Sequence, residues 1–253
     1  MSPATSSTIN SNYQNQVFLD PNRPVLGRSN DEIKWQFKYS LGFDRAFFGD
    51  ARTRIQLFGE TRSGRPYSYV MNNNVGNNRS PVFGTILNSA QHLLYVPTGT
   101  SDPIVSYDTA ATQAALDAFI NDTKLSKYRG RIAAKNLATN QSFTRIDMHI
   151  EQELPTSIGR SRVSVFADIN NVLNLIDSDW GELRQIGFPP TAAVVQVTCL
   201  AAPVATGTAA TGVTTSSQAC AQYRYSNFTA PNDKTLNVTG SLYAIRLGAR
   251  FIF

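Results

Sequence analysis

The sequence predicts an all-β protein whose long antiparallel strands are those of a transmembrane β-barrel. Three observations carry this. Several runs alternate apolar and polar residues with a period of two, the mark of a strand with unlike faces. The connections between these runs alternate long and short, as in barrels with short turns on one side of a membrane and long loops on the other. No stretch approaches the roughly 18–20 apolar residues of a membrane-spanning helix.

The first such run is DEIKWQFKYSLGFD, expected as a strand over about 32–44. Ile33, Trp35, Phe37, Tyr39, Leu41 and Phe43 lie on one side and Lys34, Gln36, Lys38, Ser40 and Asp44 on the other. A break at AFFGDA carries the turn pair Gly49-Asp50. A second strand, about 52–62, sets Thr53, Ile55, Leu57 and Gly59 against Arg52, Arg54, Gln56, Phe58, Glu60 and Arg62. Residues 63–141 then read as a long irregular loop. It includes an asparagine-rich stretch at 72–78, and one helix, TAATQAALDAFIND, with Asp108 as N-cap and Leu116, Phe119 and Ile120 on its apolar face.

Alternation resumes over 143–154, with Ile146, Met148, Ile150 and Leu154 opposite Arg145, Asp147, His149, Glu151 and Glu153. The short turn PTSIGR leads to a strand at 161–173, where Val163, Val165, Ala167 and Ile169 oppose Arg162, Ser164, Phe166, Asp168 and Asn170. A further loop, 174–240, holds two weaker β-like runs, AAVVQV and AQYRYSNF, and both cysteines. The last strand, 241–253, puts Tyr243, Ile245, Leu247, Ala249, Phe251 and Phe253 on one side and Arg246, Gly248 and Arg250 on the other. One choice of parity sends both short turns to the periplasmic side and the segments 1–31, 63–141 and 174–240 outside. On that choice the apolar faces meet lipid and the arginines face the interior.

Composition is neutral on this point. Mean hydropathy is −0.23, with 16% charged and 10% aromatic residues, values shared by soluble domains and barrels, since barrel strands dilute their own hydrophobicity. The net charge of +5 comes from scattered basic residues, without the basic stripe of a nucleic-acid binder. Cys199 and Cys220 flank a small-residue loop without histidine, which does not fit a zinc site. A disulfide there would contribute roughly 3 kcal/mol and would need an oxidising compartment; two free thiols are the alternative. The run DSDWGE at 177–182 fails calcium-loop spacing. His149 reads as a solvated interior residue, and no nucleophile, phosphate-binding loop or cofactor motif stands out. The expectation is therefore no enzyme and no cofactor.

The segments SGRPYSYVM (63–71), LLYVPTGTSDPIV (93–105), LSKYRGRIAAKN (125–136), FTRIDMHIEQELP (143–155), VFADINNVLNLIDSDWG (165–181) and LGARFIF (247–253) resemble, in that order, the C-terminal part of TonB-dependent outer-membrane receptors. They are most similar to the subgroup whose full-length members carry a carboxypeptidase-regulatory-like domain ahead of the plug. The resemblance implies a sector of a barrel of roughly 22 strands, in the bacterial outer membrane, importing a scarce nutrient. Partners would be outer-membrane lipid, the barrel-assembly machinery, and the plug and TonB complex through an N-terminal part absent here. About five strands cannot close a barrel, and MSPATSSTINSNYQNQVFLDPNRP does not read as a secretory signal, so the chain is expected to be a fragment or a truncated gene product. Tyr243, Leu247, Gly248, Phe251 and Phe253 would form the barrel-assembly signal. Arg52, Arg54, Arg62, Arg145, Glu151 and Asp168 would face the lumen, against the plug or along the substrate path. The competing readings are a non-transporting surface or adhesion barrel and a soluble β-rich binding module.

Overall fold

The computed structural model describes residues 17–19, 25–73, 91–155, 161–212 and 220–253. In chain order the elements are β1 (Val17–Phe18), β2 (Gln36–Phe48), β3 (Ala51–Arg62), β4 (Pro66–Asn73), β5 (Gln91–Leu93), β6 (Tyr95–Val96) and β7 (Val105–Tyr107). Helix α1 (Ala110–Asp122), a 3-10 turn (Lys124–Tyr128), β8 (Arg131–Ile132), β9 (Ala138–Thr139), β10 (Phe143–Leu154) and β11 (Arg162–Asn170) follow. Then come α2 (Val172–Ile176), β12 (Thr191–Leu200), β13 (Gln222–Ser226), α3 (Val238–Ser241) and β14 (Ala244–Ile252). Among the described residues the strands form three open sheets, and these do not close into a barrel.

The chain divides into two compact units. The first draws on the described parts of Ile33–Arg65, Asn140–Gln185 and Asp233–Phe253. It is a five-stranded, wholly antiparallel sheet in the order β14-β11-β10-β3-β2. β2 runs later than the hydrophobic alternation predicts, over 36–48 rather than 32–44. The ladder frays there: the Trp35 carbonyl still accepts from Ser63 N in register at 3.0 Å, but Ser63 Oγ takes the Lys34 amide at 2.8 Å and the Trp35 amide at 3.5 Å. At the other end β2 continues through a bulge between Ala46 and Phe48 to the two-residue turn Gly49-Asp50. Gly49 has φ +61 there, the positive φ that such tight turns require and glycine supplies without strain.

β11 stops at Asn170, short of the expected 173, because Asn171 turns left-handed at φ 53, ψ 58, a conformation asparagine tolerates. Its side chain donates to the carbonyls of Gly181 and Ser241, and its amide donates to Asp147 Oδ1 at 2.8 Å. A Cβ on Gly181 would collide with the Asn171 carboxamide. The Asn-Asn-Val-Leu-Asn motif is thus a connector that bends the chain away from the strand. Ser241 likewise ends α3, Leu242 caps it and Tyr243 follows, so β14 begins at Ala244.

The second unit is built from the segments expected to be irregular loops. It uses the described parts of Met1–Glu32, Pro66–Thr139 and Ile186–Asn232. A seven-stranded sheet includes the path β1-β5-β4-β12-β13-β7, with β9 beside β4; β6 and β8 pair separately. Three of the pairings are parallel: β1 with β5, β12 with β4, and β13 with β7. Tyr69 and Met71 of β4, Val195 and Val197 of β12, Tyr225 of β13 and Tyr107 of β7 share one core with Leu116 and Ile120 of α1 and Leu125 of the 3-10 turn. Tyr225 is fully buried and its hydroxyl donates to the Tyr95 carbonyl at 2.8 Å, which satisfies the one polar group it brings inside. The N-cap of α1 is Thr109, whose hydroxyl accepts from Thr112 N at 3.1 Å. Asp108, the expected cap, instead accepts from the Thr109 amide at 2.7 Å. The asparagine-rich stretch beyond Asn73 and the turn at 156–160 lie outside the described residues.

Candidate membrane interface and its ionic reverse

Register determines what each face of the five-stranded sheet presents. Leu41, Leu57, Met148, Ile169 and Ile245 stand opposite one another, one per strand, across all five strands. Two residues along, Phe43, Ile55, Ile150, Ala167 and Leu247 form a second unbroken row. Adjacent strands lie about 4.8 Å apart, so these rows make one continuous apolar face. It is uncovered: Leu41 is 69% exposed and Leu247 78%, with Phe37, Tyr39, Phe43, Val165, Ile245 and Phe251 also exposed. Monomeric soluble proteins rarely leave a contiguous apolar patch of this kind in water.

Polar side chains on this face gather toward its ends, where Arg45 stands opposite Thr53 with its guanidinium 6.0 Å from the Phe47 ring. Thr53 donates to Gln152 Oε1 across β3 and β10, toward the end where β2 and β3 meet. Gly59 has no side chain, and the ring of Tyr39 occupies the space a Cβ would take. Trp35 and Tyr243 sit just before β2 and β14, while Phe47, Phe48, Phe251 and Phe253 lie toward the opposite ends of those strands. Aromatic residues therefore mark both margins of the apolar band.

The reverse face carries ions at matched positions. Arg52 Nε lies 2.7 Å from Asp44 Oδ1. The Arg54 guanidinium reaches Asp44 at 3.4 Å, Glu151 at 3.4 Å and Glu153 at 3.1 Å. Glu151 also takes Arg250 at 3.4 Å and the Ser164 hydroxyl at 2.6 Å. The carboxylates of Glu151 and Glu153 are almost covered, whereas Arg52 and Arg250 are half exposed. Single exposed pairs add little, but a network sharing buried carboxylates holds its geometry because each lost partner would leave a covered charge unmatched. Phe166 covers Gly248 on this same face, with the Arg250 guanidinium 6.0 Å from its ring.

Among the expected interior residues, Arg52, Arg54 and Glu151 come together in this network. Arg62 pairs with Glu60 at 3.2 Å and Arg145 with Asp147 at 2.8 Å, separately from it. Asp168 accepts His149 Nδ1 at 2.6 Å. The expected assembly-signal residues do not share one surface. Leu247 and Phe251 lie on the apolar side, Gly248 on the ionic side, and Tyr243 precedes the strand with its amide bonded to Asn174 Oδ1. Phe253 follows the strand, 98% exposed, its ring 5.8 Å from that of Phe251.

Sequence reading missed a polar anchor in the second unit. Asp102 accepts from the amides of Thr98 and Ile104, both at 2.7 Å, and from the hydroxyls of Thr98 and Tyr95 at 3.0 and 3.2 Å. Burial pushes its carboxyl up, but these donors together outweigh burial and hold it below the ordinary value. Burial, reinforced by the Asp102 charge, raises the Tyr95 hydroxyl to about 12. The short spacing from Thr98 to Asp102, closed by Pro103, was the available signal for this turn. Cys199 and Cys220 form a disulfide in the same unit.

The DSDWGE run is engaged locally. Asp177 Oδ1 accepts from the Asp179 amide, and Glu182 pairs with Arg184. Among the described residues no group of three or more His, Cys, Asp or Glu side chains is placed to hold a metal ion. Nor is any described helix long and apolar enough to cross a membrane, which says nothing of strands. No family model, curated protein or solved structure matches the chain.

Proposed function

We propose that the five-stranded sheet is a sector of a transmembrane β-barrel wall. On this reading the chain is part of a TonB-dependent outer-membrane receptor that takes up a scarce nutrient. The observation that carries this is the uncovered apolar face backed by an ionic one. A large apolar side chain is worth roughly 1.5–3 kcal/mol when buried. Leaving eight of them half in water therefore forfeits an amount comparable to the whole stability of an ordinary domain, about 5–15 kcal/mol. Hydrocarbon removes that cost, and the ionic face then borders a wet or protein-filled interior.

Strand length and connectivity support the same reading. The five strands have 13, 12, 12, 9 and 9 residues, at or above the roughly 9–11 a tilted strand needs to span a bilayer. Every chain segment that departs to build the other unit leaves or re-enters this sheet on one rim: before β2, after β3, before β10, after β11 and before β14. Among the described residues the opposite rim carries the Gly49-Asp50 turn, the ends of β10 and β11 at Leu154 and Arg162, and Phe253. That is the asymmetry of barrels with short periplasmic turns and long external segments. In the described residues β2 and β14 each pair on one side only. A lipid-facing sheet cannot leave such edges open, so the wall would continue through further strands.

The second reading is a surface or adhesion barrel without transport. It is favoured by the second unit, which has a buried core of its own and so more organisation than a loop needs. The test begins with partitioning: full chain refolded with vesicles carrying brominated acyl chains should show quenched fluorescence from its two tryptophans, Trp35 and Trp180. A folded monomer in plain buffer, unquenched by such vesicles, overturns the membrane assignment. Deleting the locus should then impair growth on a limiting nutrient to the same extent as deleting TonB. Loss of surface attachment without a growth defect selects the adhesion reading.

A further inference from the structure

We propose that Arg224, Ser106 and Ser226 of the second unit form a binding site for a small oxyanion, a carboxylate, sulfate or phosphate group. The side chains of β13 alternate between two sides of its sheet. Tyr223 and Tyr225 point to the core, where Tyr225 packs with Tyr107. Arg224 and Ser226 therefore point to the other side. β7 runs parallel to β13 with Ser106 directly opposite Arg224, and since Val105 and Tyr107 are core residues, Ser106 shares the face of Arg224. Neighbouring strands are about 4.8 Å apart and alternate residues on one strand about 6.6 Å apart. The three side chains are thus near neighbours on one surface.

All three carry a buried polar atom with no hydrogen-bond partner: Arg224 Nη1, Ser106 Oγ and Ser226 Oγ. Ser106 is only 2% exposed, so its hydroxyl cannot turn to bulk water. Buried polar atoms without partners are rare in folded proteins, and each calls for an absent water or ion. Three on one patch of two adjoining strands call for a shared one. The charge decides its sign. Arg224 makes no ion pair among the described residues, and a guanidinium has donors and no acceptor. A serine hydroxyl also donates one proton. The complement is an acceptor-only, negatively charged group, and guanidinium with hydroxyl donors is the chemistry that holds carboxylates and phosphates. A cation would meet the guanidinium charge head-on. This inference does not depend on the membrane assignment of the other unit.

The experiment is calorimetric titration of the full, disulfide-intact chain in detergent with sodium sulfate, phosphate and acetate, against sodium chloride at matched ionic strength. Saturable binding of one oxyanion per chain is expected. Preference for acetate would mark the acid group of a larger ligand, and preference for sulfate or phosphate a tetrahedral anion; either supports the site. Arg224→Gln should weaken binding about tenfold or more and Ser106→Ala about fivefold. Ser106→Ala should also raise the melting temperature of the anion-free protein, because it removes a buried hydroxyl that has no partner. If Arg224→Gln does not fold, the Ser106→Ala and Ser226→Ala pair decides. Heats no larger than those of chloride, binding indifferent to these substitutions, or a lower anion-free melting temperature in Ser106→Ala would overturn the proposal, the last showing that the hydroxyl serves the fold through a water.

Discussion

The two units handle apolar side chains in opposite ways. In the seven-stranded unit they close on one another: Leu94, Leu116 and Val194 are fully buried, under a helix and between strands of at most ten residues. In the five-stranded unit they stand in unbroken rows and many stay exposed, while several charges on the reverse side share a network of partly covered ion pairs. A sheet with a paired ionic face and a bare apolar one is the inverse of a soluble sheet, which buries its apolar side and wets its polar side. The contrast shows that hydrophobic content alone does not tell whether a sheet's apolar face is covered; pairing and packing decide that.

The largest expected effect sharpens the idea that the second unit has a true core. Leu116→Ala should cost about 2–5 kcal/mol, read from denaturant unfolding followed by near-ultraviolet signals of the buried tyrosines. A loss under ~0.5 kcal/mol would mean that this core is not packed as described. The next prediction can break the comparison from the other side. Leu41→Arg, central in its strand, should cost about 2–4 kcal/mol for folding into a bilayer. Gln56→Arg, on the ionic face of the next strand, should cost less than ~1 kcal/mol. Equal losses in the two variants would remove the distinction between the faces.

Replacing Cys199 and Cys220 by serine should cost about 3 kcal/mol in the chain-entropy picture, and the loss should be local. Hydrogen exchange should quicken in β12 and β13, which the bridge ties together, and stay unchanged in β10 and β11. Acceleration in both units alike would show that they do not behave separately. The smallest effect concerns Asp102. Its carboxyl lies below the ordinary value in the folded protein, so its contribution is complete above the unfolded value near ~4. The contribution is lost as pH falls through the lower folded value. Asp102→Asn should flatten that part of the stability–pH curve while leaving the slope near neutrality unchanged; an unaltered acid limb would show that the four donors do not stabilise its charge.

The two units also differ in how readable they are. Each strand of the five-stranded sheet is long enough to display its own alternation, and its partners are mostly the next alternating runs, so the faces follow from local pattern. The errors there fall at ends such as Lys34 and Asn171, where one side-chain hydrogen bond ends a strand that hydrophobicity alone would extend. The ionic network was half visible: parity places Arg54 and Glu151 on one face, but only register brings Arg54, Glu151 and Arg250 together. In the other unit AAVVQV and AQYRYSNF look weakly β-like because parallel partners distant in the chain stabilise them. β4 meets β12 across more than a hundred residues, and nothing near Met71 announces Val195. The same distance hid Arg224, whose partner position on β7 is Ser106.

Alternation along the chain is a local property, so residue order alone was enough to specify strands with one greasy and one charged side, and a hairpin at Gly49-Asp50. Which segments would condense around Tyr225, which carboxylates would gather on Arg54, and which buried donors would be left facing one another depended on pairings between distant strands. Those pairings are chosen by the joint free energy of many contacts, and no single stretch of sequence contains them.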